Sequence, residues 1–256
     1  MESKRTAQYI DAHGPDEEAI KRAFQWLLTH SDESDDNQHA IIAVNTKSAL
    51  DGTISKVIGE DVVKQFKETK HVKLDEGELH LVTKRIDASS RGSGPALALY
   101  PDKDLLNKID EMRGITDVLV IPWNRDEVQF WIDQWGATEL GSTSSGTQPR
   151  ITDPVVKEAL ESLHMMVNVS SGLTQSSDRS KAIEMFRIIH QNGHQFDPTT
   201  IRAWLVSQKG WQPGNADEVQ GVAEDVLAGK QLQFDSGNWA DDILRQWRDA
   251  ADAEDE

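Results

Sequence analysis

The first half of the chain alternates between two hydrophobic patterns. Short runs that are apolar almost throughout occur at Ala40–Val44, Ala96–Tyr100 and Asp117–Ile121. Such runs are typical of strands that are buried on both faces of a sheet. Between them the apolar residues recur every three or four positions, as on one face of a helix. This order of strand and helix predicts parallel strands that are joined by right-handed crossovers.

A different pattern surrounds Asp75-Glu76-Gly77, where apolar and polar residues alternate on both sides. Val72 and Leu74 precede this segment, and Leu79 and Leu81 follow it. Alternation around a glycine-containing turn predicts a β-hairpin with its turn near Glu76-Gly77. The sheet is therefore expected to be mixed but mainly parallel. The fold predicted for residues 1–140 is a three-layer α/β domain.

The second half carries only helical periodicity. Residues 141–150 are mostly small and polar, which predicts a linker. Residues 151–248 contain five apolar stripes at helical spacing, and Asp153-Pro154 and Asp197-Pro198 are typical helix starts. We expect an all-α domain here, followed by an acidic tail at 249–256 that frays. The tryptophans at 204, 211, 239 and 247 predict either a packed aromatic core or a partly exposed docking patch.

The composition of the chain excludes several kinds of site and disfavours several kinds of partner. The 256 residues include 27 Lys and Arg against 44 Asp and Glu, a formal net charge of −17, and no Cys. The absence of Cys excludes disulfides, thiol nucleophiles and Cys-ligated metal centres. The acid excess disfavours nucleic acid and anionic membranes as partners. Without an apolar run near the roughly 20 residues of a membrane span, and without a secretion signal, we expect a soluble cytoplasmic protein.

The candidate ligand site comes from topology. In parallel α/β sheets, ligands bind beyond the carboxyl ends of the strands, and three predicted strands end in polar turns. If these strands are parallel, their turns share one edge, where cations, helix N-terminal amides and one exposed aromatic ring could hold a phosphate or nucleotide-like ligand. The residues predicted to line this edge are Asn45, Lys47, Ser48, Lys103, Trp123, Asn124 and Arg125. The other interpretation of these residues is ordinary helix capping and solvent contact.

Sequence motifs add no catalytic assignment. The chain contains no GxxxxGK[ST], GxGxxG, GxSxG or HExxH pattern. His190 and His194 have the i, i+4 spacing of a metal site, but Gly193 lies between them, and no spacing links the histidines at 13, 30, 39, 71 and 80. The sequence therefore assigns no metal, no cofactor and no catalytic residue.

Two classes of function follow. The first is a non-enzymatic binding or protein-interaction module, which the acidic surface and the lack of catalytic motifs favour. The alternative is a small-molecule enzyme or sensor that binds a phosphorylated or nucleotide-like ligand at the strand ends. The partner is accordingly expected to be a protein or a small anionic ligand, and the sequence leaves enzyme activity undecided.

Overall fold

The structure is a computed structural model that describes residues 5–32, 39–74, 77–87, 94–143 and 146–254. The Cα positions divide the chain into two compact units, Met1–Thr147 and Gln148–Glu256. The first unit holds all the described strands, and the second holds helices only. The expected combination of an α/β part and an all-α part is thus confirmed.

A seven-stranded mixed sheet forms the centre of the first unit. In chain order its strands are β1 (Thr6–Tyr9), β2 (His39–Val44), β3 (His71–Leu74), β4 (Gly77–Val82), β5 (Gly94–Leu99), β6 (Ile115–Ile121) and β7 (Thr138–Glu139). Their order across the sheet is β3-β4-β2-β5-β6-β1-β7. Every neighbouring pair is parallel except β3 and β4, which form the predicted hairpin. Residues 75 and 76 of its turn lie outside the described residues.

Helices cover both faces of this sheet. Helices α1 (Glu17–Asp32), α2 (Thr53–Ile58) and α3 (Glu60–Thr69) pack on one face, through a core that includes Leu27, Ile54 and Phe66. Helices α4 (Lys103–Glu111) and α5 (Arg125–Trp135) pack on the other face, through Leu106, Ile109 and Trp131. The result is the predicted three-layer arrangement. Alternate residues of the apolar strands contribute side chains to the two cores, because successive side chains of a strand point to opposite faces.

Strand β1 was not predicted. It has the short sequence Thr-Ala-Gln-Tyr and offers only two side chains to the core, Ala7 and Tyr9. Even so, it lies between β6 and β7, so that the chain enters the sheet near one end and α1 carries it back across β6 and β5 to β2.

The second unit consists of helices α6 (Pro154–Met166), α7 (Ser176–Gln191), α8 (Pro198–Lys209), α9 (Pro213–Leu227) and α10 (Ile243–Glu254). The predicted helix starts are confirmed, because Asp153 accepts hydrogen bonds from the amides of Val155 and Val156, and Asp197 accepts one from the amide of Thr200. Gly210 ends α8 in the left-handed conformation that glycine favours.

The expectation that residues 249–256 fray does not hold for the described part of this segment. Helix α10 continues to Glu254, and Ala251 is buried. The physical reason is that Ala251 lies one helical turn beyond the buried Trp247, so the apolar face of α10 extends into the acidic segment.

Candidate functional site

The carboxyl ends of four adjacent parallel strands meet at one edge of the sheet. Strands β2, β5, β6 and β1 are consecutive and parallel, so the turns that follow them lie side by side. We call residues 10–16, 45–48, 100–103 and 122–125 the strand-exit edge. The supposition that the three predicted strands run parallel is confirmed. The fourth contribution, from the turn after β1, was missed together with that strand.

Asn45 joins two of these turns. Its side-chain amide donates to the Tyr100 carbonyl at 2.9 Å, and its Oδ1 accepts from the Asp102 amide at 3.2 Å. The junction lies where the chain leaves β2 for one face of the sheet and leaves β5 for the other, the place where ligands usually bind in such folds. Both polar ends of the Asn45 side chain are used to hold this junction together.

The three predicted cations have separate protein partners. The Lys47 ammonium donates to the Lys67 carbonyl at the end of α3. The Lys103 ammonium lies 5.9 Å from the centre of the Phe130 ring. These two side chains therefore contact different helices and are not brought together around one point.

Arg125 is also engaged. Its guanidinium lies 5.3 Å from the centre of the Tyr9 ring and 3.9 Å from the Asp11 carboxylate. An anionic ligand at this edge would have to compete with these contacts.

The N-termini of α1, α4 and α5 at the edge are capped by side chains of the chain itself. Asp102 accepts from the Leu105 amide, Asn124 from the Asp126 amide, and Asp16 from the amides of Glu18 and Ala19. The Ser48 hydroxyl is 2.9 Å from the Thr46 hydroxyl. The first turns also carry acidic side chains, namely Glu17, Glu18, Asp104, Asp126 and Glu127. The positive ends of these helices thus already face negative charge, which disfavours a further anion there.

Trp123 is the exposed apolar feature of the strand-exit edge. Half of its surface is accessible, and its ring meets the Tyr100 ring edge-on with the centroids 5.5 Å apart. The Trp123 carbonyl accepts from the Gly14 amide at 3.0 Å. Burial raises the pKa of Tyr100. The indole therefore contacts Tyr100 and is half exposed to solvent.

A second polar cluster lies towards the amino ends of β2 and β4. It consists of His39, Glu78 and His80, whose ligand-type atoms all lie within 4.8 Å of one another. Burial and the neighbouring His39 ring lower the pKa of His80, although Glu78 opposes this effect. The sequence does place Glu78 and His80 two residues apart on the predicted hairpin strand. That His39 joins them follows only from the pairing of β2 with β4, which sequence reasoning did not supply.

A shallow cleft of about 450 Å³ lies beside α2 and α3. Its lining side chains carry charges of both signs, and Lys67 and Asp51 form an ion pair at 2.5 Å. The lining residues are Asp51, Ser55, Glu60, Val63, Lys64, Lys67 and Glu68. They do not include the residues predicted for the ligand site.

In the helical unit, the four tryptophans form part of the core. Trp204, Trp211, Trp239 and Trp247 are all buried. Three of their indole N–H groups donate hydrogen bonds within the unit: to His164, the Lys181 carbonyl and the Ser162 hydroxyl. Of the two predicted alternatives, the packed aromatic core is therefore the one observed.

The described residues define a protein with an α/β unit built on a mixed, mainly parallel sheet and an all-helical unit. A family model described as a domain of unknown function (DUF1889) matches residues 152–248, within the helical unit. A solution NMR structure of a protein from Salmonella typhimurium is similar to the chain, with 24% sequence identity and a TM-score of 0.34. The match covers 40% of this chain and 94% of the Salmonella protein's chain. No curated protein matches the chain. Among the described residues, no helix is long and apolar enough to cross a membrane.

Proposed function

We propose that the α/β unit is a non-enzymatic protein-interaction module that binds a basic segment of a partner protein at its strand-exit edge. The observation that carries this proposal is the half-exposed Trp123 ring on an edge whose helix starts are acidic. An indole face attracts Lys and Arg side chains, and the effect strengthens when the contact excludes water. Surrounding carboxylates would favour the same partner and repel an anionic one.

Acidic side chains at the starts of α1 and α5 support this choice of partner. Asp16 and Glu17 follow the turn that contacts Trp123, and Asp126 and Glu127 begin the helix that follows it. These four side chains lie at exposed positions. The net charge of −17 adds a long-range attraction for basic partners, which accelerates association at low salt.

The cations disfavour the alternative of a phosphorylated or nucleotide-like ligand. Lys47, Lys103 and Arg125 each contact a different protein group, so none of them is held ready for a phosphate. Capped helix N-termini offer such a ligand few free amides.

The Trp123 ring also has an aromatic contact within the chain before any partner binds. Tyr100 supports it edge-on, and the Gly14 amide holds its backbone. Gly14 has a φ of +66°, a left-handed conformation that favours glycine. A ring that is already ordered loses less entropy on binding, which increases affinity.

The test uses the full chain and two fluorescent decapeptides, one of alternating Arg and Gly and one of alternating Glu and Gly. Anisotropy should show binding of the basic peptide only, and the binding should weaken as salt is raised. Trp123→Ala should raise the Kd by about tenfold, which corresponds to ~1.4 kcal/mol of lost contact. Leu28→Ala is the matched control, because Leu28 is also large, apolar and exposed but lies in the last part of α1.

Two results would contradict the proposal. One is equal binding of the basic peptide by the wild type and by Trp123→Ala. The other is thermal stabilisation by a nucleotide or phosphate ester that the double variant Lys47→Ala, Arg125→Ala abolishes, since a ligand that binds the folded form raises the melting temperature. The second result would establish the anionic-ligand alternative instead.

A further inference from the structure

The pairing of β2 with β4 brings the side chains of His39, Glu78 and His80 together on one face of the sheet. In the parallel pair β2 and β4, His39 lies opposite Glu78, and His80 follows two residues later on β4. Residues that are paired across strands share a face, and so do residues two apart along a strand. The backbone thus places two imidazoles and one carboxylate side by side.

The distances suit a small cation. The Nε2 atom of His80 lies 3.3 Å from Nδ1 of His39 and 3.5 Å from a carboxylate oxygen of Glu78. In a tetrahedral zinc site with metal–ligand bonds of about 2.05 Å, neighbouring ligand atoms are about 3.3 Å apart. Two of the three separations in the cluster, 3.3 and 3.5 Å, are already close to this length. Small side-chain rotations would bring the third, which is at most 4.8 Å, to the same value.

We propose that His39, Glu78 and His80 form a binding site for one divalent metal ion of the zinc class. Two imidazole nitrogens and one carboxylate oxygen are a donor set that zinc prefers, and Mg²⁺ and Ca²⁺ prefer oxygen ligands only. Three protein ligands leave a fourth position for water or an incoming ligand. The His80 and Glu78 side chains are 14% and 33% exposed, so an ion can reach the site from solvent while the strands hold its ligands.

His71 is the nearest further imidazole. Its ring centroid lies 6.1 Å from that of His80, and its Nδ1 donates to the Thr69 carbonyl at 3.0 Å. This hydrogen bond fixes the ring beside the cluster. We therefore place His71 next to the metal site and outside its ligand set.

The test is calorimetric titration of ZnCl₂ into the full chain after treatment with a chelator. The expected result is one Zn²⁺ per chain, with Mg²⁺ unable to compete. His39→Ala, His80→Ala and Glu78→Gln should each weaken binding by more than about 100-fold, because the loss of even an outer partner of a metal ligand typically costs 10–100-fold. His13→Ala is the matched control, since His13 is an exposed histidine outside the cluster.

The melting temperature without metal separates a lost ligand from a lost fold. Each variant should melt near the wild type in chelator but should no longer be stabilised by added Zn²⁺. The proposal fails if the wild type binds no Zn²⁺, or if His39→Ala and His80→Ala bind it as tightly as His13→Ala does. Glu78→Gln tests the carboxylate with little change of shape, so it keeps the test valid even if a histidine variant does not fold.

Discussion

Arg5 and Asp110 form an ion pair at 3.0 Å in which the carboxylate is fully buried. The same carboxylate accepts from the indole N–H groups of Trp131 and Trp135 and from the Gln134 amide. Burial raises the pKa of Asp110, an effect that the Arg5 guanidinium and these donors oppose. Burial also lowers the pKa of Arg5. The cluster lies beside the start of β6, at the edge of the sheet opposite the strand-exit edge, because Arg5 also donates to the Ile115 carbonyl. It therefore ties β1, α4 and α5 together.

Removal of the Asp110 carboxylate should be strongly destabilising. Asp110→Ala leaves a guanidinium and three N–H donors without their acceptor, and breaking a buried pair in this way typically costs about 3–5 kcal/mol. Urea unfolding of the full chain measures this loss. The double variant Arg5→Met, Asp110→Ala should lose less than the sum of the two single variants. Glu18→Ala, which breaks the exposed pair with Lys21, should cost less than about 1 kcal/mol. Equal losses of stability at the exposed and buried pairs would contradict the stabilising role given to the buried Asp110 carboxylate.

The same substitution should be destabilising at one position of the strand-exit edge and nearly neutral at another. Asn45→Asp removes the amide that donates to the Tyr100 carbonyl and places a charged oxygen near it, at an expected cost of about 2 kcal/mol. Asn124→Asp should be nearly neutral, because Asn124 only accepts from a helix amide and Asp is an equally good cap. Thermal melting of both variants provides the comparison. A similar shift in both would show that the Asn45 bridge contributes nothing.

The layered fold could be predicted because its signals are local. Runs such as Ala40–Val44 must be buried on both faces, and caps such as Asp102 and Asn124 mark helix starts within a few residues. β1 escaped prediction because its four residues include only two that face the core. Four residues carry too weak a pattern to predict a strand. Their strand conformation depends instead on pairing with the neighbouring strands of the sheet.

The candidate sites could be predicted only in part. Parallel strands do place the predicted turns at one edge, but the directions of the charged side chains depend on distant partners. Lys47 reaches the Lys67 carbonyl and Arg125 reaches the Tyr9 ring, and neither partner is marked in the sequence. The His39, Glu78 and His80 cluster likewise depends on strand order, which no local pattern encodes.

Glu184 should make the stability of the helical unit depend on pH in the acid range. Burial raises the pKa of Glu184, but hydrogen bonds from the Gly237 amide and from the amide and side chain of Asn238 lower it more, so the net value is below its ordinary 4.5. A carboxyl with a lower pKa in the folded state stabilises the fold above its unfolded pKa, and this stabilisation is lost as the pH falls through the folded value. The melting temperature of wild type should exceed that of Glu184→Gln at pH ~6, and the difference should shrink below pH ~4.5.

A neutral contact in the same loop provides the control for this pH effect. The Ser180 hydroxyl accepts from the Asp235 amide at 3.1 Å. Ser180→Ala should therefore lower the melting temperature by the same amount throughout the acid range. A difference between wild type and Glu184→Gln that stays constant with pH would contradict the role assigned to the Glu184 charge.

The acidic end of the chain provides the last prediction, because α10 is ordered to Glu254 where the composition alone predicts fraying. Ala251 is 3% exposed and lies one turn beyond Trp247, whose indole donates to the Ser162 hydroxyl at 2.9 Å. Ala251→Asp would bury a charge against α6 and should cost at least about 2 kcal/mol. Ala253→Asp adds the same charge to the same helical turn at an exposed position, so it shares the unfavourable dipole effect and should cost less than about 1 kcal/mol. Thermal melting gives the two losses, and hydrogen exchange reports whether the amides of residues 249–254 are protected. If the segment frayed, the two variants would melt alike and these amides would exchange freely.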